Sequence, residues 1–428
     1  VFAVFLNATT LQLSLLGSTL LLLHPRIFAH SFYNSADIPF MSAFIVSIYA
    51  MIRYLESTTL SRSILLAVSC AILVAIRVAG VFVPLLAILF ITRDAWRAHA
   101  AGKSLQPILS PAVVFIVTCA TLSFLLWPYL WTNPTKLFVK AVATNVDVGL
   151  NAGLRYLGHT IQSTSVPWHY NFVWIAVTTP LLYLGLFMAG ILATSYHFIR
   201  NPMKFLAQRT FDSIMLGWLI VPLVAPVVFG SALYADWRHH YFVYPALIVF
   251  ALMGIEWWFN LARARFRPKL QRGLSVAFAV IICACLMNVV YWIVQLHPFE
   301  DVYFNRLAGP NMTTARKNFD FEYWGLPFRN AMEYILLNDP DAVITITGDR
   351  HSIDLNRLIL PPRERERLVY VENPADAKYI VFGGRYPFSY TLRKIYGSDN
   401  HLYSVNIGDA EAVAVYRVPA DKTSARRF

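Results

Sequence analysis

The chain has 428 residues, of which 57% are hydrophobic, 15% aromatic and only 14% charged, and its formal net charge is +12. Soluble domains carry about 25% charged residues, so this composition excludes an ordinary soluble protein and favours one that lies largely in a membrane. The positive charge needs no nucleic acid as a partner, because basic cytoplasmic loops and anionic lipid headgroups account for it.

Apolar windows long enough to cross the hydrocarbon core of a bilayer recur through most of the chain. We predict a transmembrane bundle over residues 1–296, in which the third and fourth spans are short enough to be one kinked pair. The chain starts inside the first apolar window with no basic segment before it, so we expect a fragment that lacks the first span and the first outer loop. The nine predicted spans are 3–23, 39–54, 63–78, 79–92, 107–127, 172–195, 213–232, 242–259 and 274–295.

The last part of the chain, residues 297–428, is charged and contains Gly and Pro turns. It is long enough for one small domain, and its patterns predict an α/β fold. The predicted elements are a helix at 327–337, strands at 342–347 and 379–382, and a hairpin of 401–407 and 411–418 that turns at 408–409.

Basic residues are distributed unequally between the loops. Thirteen of them lie in one set of alternate loops and six in the opposite set. The positive-inside rule places the richer set in the cytoplasm. The predicted extracytoplasmic segments are then 24–38, 127–171, 233–241 and 297–428.

The polar loop at 24–38 ends in Asp37, at a predicted helix start. A lone carboxylate at a membrane surface is costly unless it has a partner or a role. The same loop carries His30, Tyr33 and Asn34, which are candidate substrate ligands. Asp37 followed by Ile-Pro is also typical of a helix N-cap, which is the structural alternative.

Arg77 lies within an apolar run. An arginine at the centre of a membrane helix costs about 2.5–3.5 kcal/mol by insertion scales, so it either reaches the outer interface or binds an anion in a cavity. We favour the anion, because a guanidinium donates two parallel hydrogen bonds to a phosphate and stays charged.

The segment 234–245 combines an acid, an arginine, two histidines and three tyrosines at the outer edge of a predicted span. Its candidate ligands are Arg238, His239 and Tyr241. The alternatives are an ion pair between Asp236 and Arg238 and an interfacial aromatic belt. A zinc site is not expected, since adjacent histidines on a helix point in different directions.

Several segments resemble those of bacterial PMT-like glycosyltransferases of the GT-C class (glycosyltransferase family 39), which includes protein O-mannosyltransferases and the lipid A aminoarabinose transferase. Residues 25–40 are similar to the loop between the third and fourth spans of that family. Residues 236–245 resemble its Arg/Tyr-Pro segment, and residues 167–180 resemble its Pro-Trp-x-Tyr entry to a middle span. Residues 297–305 and 321–326 resemble the start of an outer domain in one subfamily.

This resemblance implies transfer of a sugar from a polyprenyl-phosphate donor to a protein, lipid or glycan acceptor, with inversion, at the outer face of a bacterial inner membrane. It implies that Arg77 and Arg238 meet the donor phosphate and that Asp37 is a supporting acid. The main base is expected upstream of residue 1. No cofactor is certain, and a divalent metal stays open. The implied substrate-binding residues are His30, Tyr33, Asn34, Trp168, Tyr170, His239 and Tyr241.

Three alternatives remain at the sequence level. Trp168 either stacks on a sugar or anchors its loop at the interface. A polytopic protein with buried arginine and histidines is also compatible with a lipid or solute transporter or a flippase, although no internal repeat of the kind seen in transporters is visible. A catalytically inactive relative that acts as an assembly partner is the third. The expected partners are the lipid-phosphate donor, membrane lipids and an unidentified acceptor.

Overall fold

The structure is a computed structural model that describes residues 3–5, 10–146, 151–383 and 399–418. The chain forms two compact units. The first takes residues 1–152 and 163–291, and the second takes residues 153–162 and 292–428. The predicted domain boundary at residue 296 stays a prediction.

Apolar α-helices make up the first unit, which contains α1–α12 and most of α13. Short 3-10 turns at Val78–Val81 and Arg238–Val243 precede α5 and α12. The helices are α1 (Leu11–Leu22), α2 (Pro25–Tyr33), α3 (Asp37–Glu56), α4 (Leu60–Ile76), α5 (Phe82–Ala100), α6 (Gln106–Leu126), α7 (Pro134–Val146), α8 (Tyr170–Thr178), α9 (Leu181–Arg200), α10 (Pro202–Gln208), α11 (Thr210–Phe229), α12 (Tyr244–Arg265) and α13 (Pro268–Leu296).

Within the described part of the chain, seven helices are long and apolar enough to cross a membrane. The pair α1 and α2, bent by 64°, makes an eighth if it is one broken span. The remaining predicted span, 63–78, corresponds to α4, whose 17 residues reach only about 25 Å at 1.5 Å per residue, less than the hydrocarbon core. The predicted polytopic helical membrane protein is confirmed, with seven or eight candidate spans. The spans that pass are α3, Val78–Ala100, α6, α9, α11, Arg238–Arg265 and α13.

Helices α9 and α12 approach each other at two glycines. A Cβ on Gly190 would lie 1.8 Å from the carbonyl oxygen of Phe250, and a Cβ on Gly254 would lie 2.3 Å from that of Leu186. Small residues at such a crossing allow close packing between membrane helices. This crossing supports α12, the most deeply buried of the candidate spans, which follows directly from the site segment 234–243.

The second unit is built on a five-stranded sheet in the order β4-β3-β5-β7-β6. β3 pairs in parallel with β4 and β5, whereas β7 pairs antiparallel with β5 and β6. The α/β prediction for this region is confirmed, including the helix, two strands and the hairpin at Gly408. The elements are α14 (Met312–Asn318), α15 (Phe328–Asn338), β3 (Ile344–Gly348), α16 (Arg350–Leu358), α17 (Pro362–Arg367), β4 (Leu368–Tyr370), β5 (Tyr379–Gly383), β6 (His401–Ile407) and β7 (Ala410–Arg417).

A small hairpin, β1 (Gly153–Tyr156) and β2 (His159–Gln162), also belongs to the second unit. Its backbone bonds to the end of α14, where the N–H of Gly158 donates to the carbonyl of Asn318 at 3.0 Å. The hairpin lies within the predicted outer loop 127–171, and the sequence does not predict it because each strand is only four residues long. Residues 147–150 of that loop, and 384–398 and 419–428 of the predicted domain, lie outside the described residues.

Candidate functional site

Asp37 is the first residue of α3 and is only 2% exposed. Its backbone N–H donates to Asn34 Oδ1 at 2.9 Å, and the N–H of Ala36 donates to the same oxygen at 3.2 Å. Asn34 therefore satisfies backbone donors at the start of the helix. The alternative in which Asp37 caps α3 is wrong, because Ala36 is the N-cap residue and the Asp37 carboxylate is turned toward other side chains.

Two arginines that are distant in sequence meet the carboxylate of Asp37. Arg77 follows the last residue of α4 in an extended conformation, and its Nη1 donates to Asp37 Oδ1. Arg238 starts a 3-10 turn, and its Nη1 donates to Asp37 Oδ2 at 3.1 Å. Asn34 Nδ2 donates to the same oxygen at 2.7 Å. The structure therefore brings four predicted residues together, with two positive charges on one negative charge.

His239 extends the cluster formed by Asn34, Asp37, Arg77 and Arg238, on the side of Arg77. Arg77 Nη2 and His239 Nδ1 are 3.0 Å apart. A guanidinium has no acceptor, so Nδ1 accepts in this hydrogen bond and the proton of the neutral ring sits on Nε2. That Nε2 is buried and has no hydrogen-bond partner among the residues that the structure describes. The imidazole therefore presents a donor that a ligand can satisfy.

A cavity of about 370 Å³ in the first unit adjoins the cluster. Arg77, His239 and His240 lie on its wall, and the rest of the wall is largely apolar and comes chiefly from the turn Val78–Val81, the start of α5, and α11 with the residues that follow it. Asp37 and Arg238 are absent from its lining residues. An anion in this cavity would therefore contact Arg77 and His239, while Asp37 and Arg238 hold those side chains from behind.

A second ion pair lies beneath this cluster. Arg26 Nη1 and Asp236 Oδ2 are 2.6 Å apart, and both side chains are fully buried. Asp236 has a φ of 58°, a left-handed conformation that Asp tolerates better than most residues, and its Oδ1 accepts the backbone N–H of Arg238. The guanidinium of Arg26 lies 5.6 Å from the ring centroid of Trp174. This pair fixes the turn from which Arg238 extends.

Sequence analysis left open a pairing between Asp236 and Arg238. The ion pairs in the structure instead join Asp236 to Arg26 and Arg238 to Asp37. Arg26 was not among the predicted site residues. The sequence signal that points to Arg26 is that the polar segments 24–38 and 234–245 each carry one acid and one arginine. The acid of each segment pairs with the arginine of the other.

His30 and Tyr241 stand behind Asn34. His30 is fully buried, with Nδ1 2.9 Å from Asn34 Nδ2 and Nε2 3.4 Å from the Tyr241 hydroxyl. Tyr33 packs beside it, with ring centroids 5.4 Å apart. None of these four residues lines the 370 Å³ cavity. Their geometry positions Asn34 and, through it, Asp37.

Trp168 and Tyr170 also lie off that cavity. Tyr170 is 1% exposed and packs edge-on against Trp174, at 6.2 Å between ring centroids. Trp168 is 67% exposed and lines a smaller cleft. The structure therefore separates these two predicted residues from the cluster around Asp37.

The cluster does not suit a metal ion. The described residues contain no group of three or more His, Cys, Asp or Glu side chains that could hold one. Both oxygens of Asp37 already accept hydrogen bonds from cationic or amide donors. Divalent cations need oxygen or nitrogen ligands and are repelled by adjacent guanidinium groups. The donor set suits an anion.

The fold defines a polytopic helical membrane protein, and the cluster around Asp37 is its candidate functional site. No protein-family model matches the chain, and no curated protein matches it. Among solved structures, it is similar to the archaeal oligosaccharyltransferase AglB from Archaeoglobus fulgidus in complex with an inhibitory peptide and a dolichol-phosphate, with 12% identity and a TM-score of 0.41. The match covers 89% of this chain and 56% of that one, so the chain spans little more than half of that neighbour's length.

Proposed function

We propose that this chain is a membrane glycosyltransferase of the GT-C type, which transfers a sugar from a polyprenyl-phosphate-linked donor to an acceptor. The observation that carries this proposal is the meeting of Arg77 and Arg238 on the buried carboxylate of Asp37, beside a cavity with mostly apolar walls. A lipid-linked phosphate has the matching chemistry, with an anionic head and an apolar chain.

Charge balance supports this choice of ligand. Arg77 and Arg238 contribute two positive charges and Asp37 one negative charge, while the buried pair of Arg26 and Asp236 is neutral. The net charge of +1 matches the single negative charge of a sugar–phosphate–lipid diester. The Arg77 side chain is 26% exposed, so its guanidinium reaches a ligand while one nitrogen stays on Asp37.

The same groups stabilise the leaving group of the proposed reaction. When the bond between the sugar carbon and the phosphate oxygen breaks, the phosphate changes from a monoanion to a dianion. Donors that are already oriented toward that oxygen stabilise the added charge without reorganising. Arg77 and the Nε2–H of His239 are such donors on the cavity wall. Asp37 orients the two arginines, since both of its oxygens are occupied.

We also propose that the site faces the outside of the membrane. The basic residues are concentrated in the loops opposite to those that carry Asp37 and Arg238, and the positive-inside rule makes that basic side cytoplasmic. A bacterial inner membrane, an inverting reaction and a PMT-like subfamily are further proposals that rest on the sequence resemblance alone. The acceptor is left as a protein, a lipid or a glycan.

The test measures lipid-phosphate binding and sugar transfer on the same purified full-length chain. Arg77→Gln removes a charged donor from the cavity wall, and hydrogen bonds to charged groups contribute about 1.5–3 kcal/mol, so we expect polyprenyl-phosphate affinity to fall by about tenfold to a hundredfold. Arg238→Gln removes a guanidinium that contacts Asp37 but does not line the cavity, so its affinity should fall by less. Arg53→Gln is the matched control, because Arg53 forms an exposed pair with Glu56 in a predicted cytoplasmic region.

His239 offers a finer comparison. The side-chain nitrogen of His239→Gln sits near the position of Nε2 and retains a donor there, whereas His239→Asn retains only a group near Nδ1. Binding should therefore weaken less in His239→Gln than in His239→Asn. Unchanged affinity in the Arg77 and Arg238 variants contradicts the phosphate site. Tight lipid-phosphate binding with movement of the lipid across vesicles but no sugar transfer favours a flippase instead.

A further inference from the structure

A second, smaller cleft of about 80 Å³ lies in the first unit beside the start of α8. One wall is the segment that leads into α8, and the other is the end of α11 with the residues that follow it. The carbonyl of Ser163 accepts the N–H of Leu233 at 3.0 Å, which joins the two walls. The cleft is lined by Thr164, Val166, Pro167, Trp168, Asn171, Pro226, Val227, Gly230, Ser231 and Leu233.

Asn171 lines this cleft and carries a buried polar atom that is unsatisfied among the described residues. Its side chain is 2% exposed, and Oδ1 has no hydrogen-bond partner among the described residues. Leaving a buried acceptor unpaired costs about 1–3 kcal/mol, so such a group is uncommon unless something else bonds to it. The carboxamide of Asn171 therefore points to a ligand that carries a hydrogen-bond donor, such as a hydroxyl group.

Trp168 supplies an apolar face on the same cleft. Trp168 is 67% exposed, so much of its aromatic surface is open to contact with a ligand. The C–H bonds on one face of a pyranose ring pack on such an indole, while its hydroxyl groups point outward. The cleft volume is about two to three times the share of liquid volume of one water, which is about 30 Å³. It therefore accepts the hydroxyl edge of a ring rather than the whole ring.

The cleft is next to the anion site. Pro226, Ser231 and Leu233 line both it and the 370 Å³ cavity. A ligand with a phosphate in the larger cavity would reach the smaller cleft with the group attached to it.

We propose that this cleft is a carbohydrate subsite in which a pyranose ring stacks on Trp168 and donates a hydroxyl hydrogen bond to Asn171 Oδ1. The ring is the sugar of the lipid-linked donor, and this assignment rests on the proposed function. The binding of a sugar ring by Trp168 and Asn171 is independent of the proposed function.

The experiment uses the full chain in phosphatidylcholine nanodiscs and the methyl glycosides of glucose, galactose, mannose and N-acetylglucosamine. Saturation-transfer NMR and direct titration report sugar affinity, and polyprenyl-phosphate affinity is measured on the same samples. We expect at least one glycoside to bind, and Asn171→Ala to weaken it by about three- to tenfold through loss of one hydrogen bond. Asn171→Asp, which keeps an acceptor oxygen, should restore most of the affinity.

Trp168→Ala should weaken the same glycoside by about tenfold, and Trp168→Phe by less, because a smaller aromatic face remains. Trp96→Ala is the matched control, since Trp96 is 68% exposed and lines neither the cleft nor the larger cavity. Lipid-phosphate affinity should stay unchanged in all of these variants.

Two results overturn the subsite. One is that no glycoside binds the unmodified chain although polyprenyl phosphate does, which leaves the proposed function standing. The other is that glycoside affinity is the same in the Trp168 and Asn171 variants as in Trp96→Ala. If Trp168 fluorescence is then quenched by brominated lipid, the residue is an interfacial anchor. Failure of the unmodified chain to bind polyprenyl phosphate refutes the proposed function itself.

Discussion

The buried ion pair of Arg26 and Asp236 gives the sharpest prediction about stability. Its atoms are 2.6 Å apart and both side chains are fully buried, so neither charge is solvated by water. Removing one partner from such a pair costs about 3–5 kcal/mol, because the other charge stays buried without its counter-ion. We therefore expect Arg26→Met to lower the free energy of unfolding by that amount.

A double-mutant cycle separates the pair from other effects of the methionine. Asp236→Asn keeps a side chain that tolerates the left-handed backbone at this position, where φ is 58°. In Arg26→Met/Asp236→Asn both charges are gone, and we expect at least half of the loss in Arg26→Met to be recovered. The assay is reversible unfolding in mixed micelles with increasing SDS, followed by circular dichroism.

An exposed pair provides the control for this cycle. Arg53 and Glu56 are 2.7 Å apart with about 40% of each side chain exposed, and such pairs contribute only about 0.2–1 kcal/mol. Arg53→Met should therefore have little effect. The reasoning is refuted if Arg26→Met costs less than about 1 kcal/mol, or if the double variant loses the sum of the two single losses.

Two other predictions concern packing and pH. Gly190→Ala places a Cβ 1.8 Å from the carbonyl oxygen of Phe250 and should lower the free energy of unfolding by about 1–3 kcal/mol in the same SDS assay. Gly185→Ala, on the same helix, places a Cβ with no other atom within 4 Å and should be neutral or slightly stabilising. Equal effects of the two substitutions would contradict the close crossing of α9 and α12. In the second unit, burial tends to raise the pKa of Asp339, but the Lys378 ammonium, the backbone N–H of Asp341 and the Tyr379 hydroxyl together outweigh it and hold that pKa below its usual value of 3.8. The ionised Asp339 carboxylate therefore stabilises the fold above pH 3.8, and this stabilisation is lost as the pH falls through the lowered pKa. In Asp339→Asn, acid unfolding followed by circular dichroism should lose part of its pH dependence. An unchanged profile would contradict this role of Asp339.

The sequence predicted the elements whose signal is local. The apolar lengths of the spans, the helical spacing before Leu337 and the alternation around Gly408 each depend on neighbouring residues, and the structure has helices and strands there. Helix α4 differs from the predicted span, because its 17 residues end at Ile76 and are too few to cross the hydrocarbon core although the surrounding sequence is apolar. The length of a helix depends on where its hydrogen bonding stops, and composition reports that only indirectly.

The sequence predicts most residues of the candidate site but only some of the contacts between them. Asp37, Arg77 and Arg238 stand out because charges in apolar surroundings are costly. Their partners lie 40 and 201 positions apart, so no local pattern reveals which charge meets which. Arg26 was overlooked for the same reason, since its partner Asp236 is 210 positions away. Asn171 carried no sequence signal, because its interest lies in an oxygen that burial leaves unpaired.

The most direct test of the proposed site is an experimental structure of the full chain with a polyprenyl phosphate bound. We expect the phosphate in the 370 Å³ cavity, with one oxygen within hydrogen-bond distance of the Arg77 guanidinium and another near His239 Nε2, and the apolar chain along the walls from α5 and α11. A phosphate bound elsewhere, with Arg77 and His239 in contact only with protein groups, would contradict the proposed donor site.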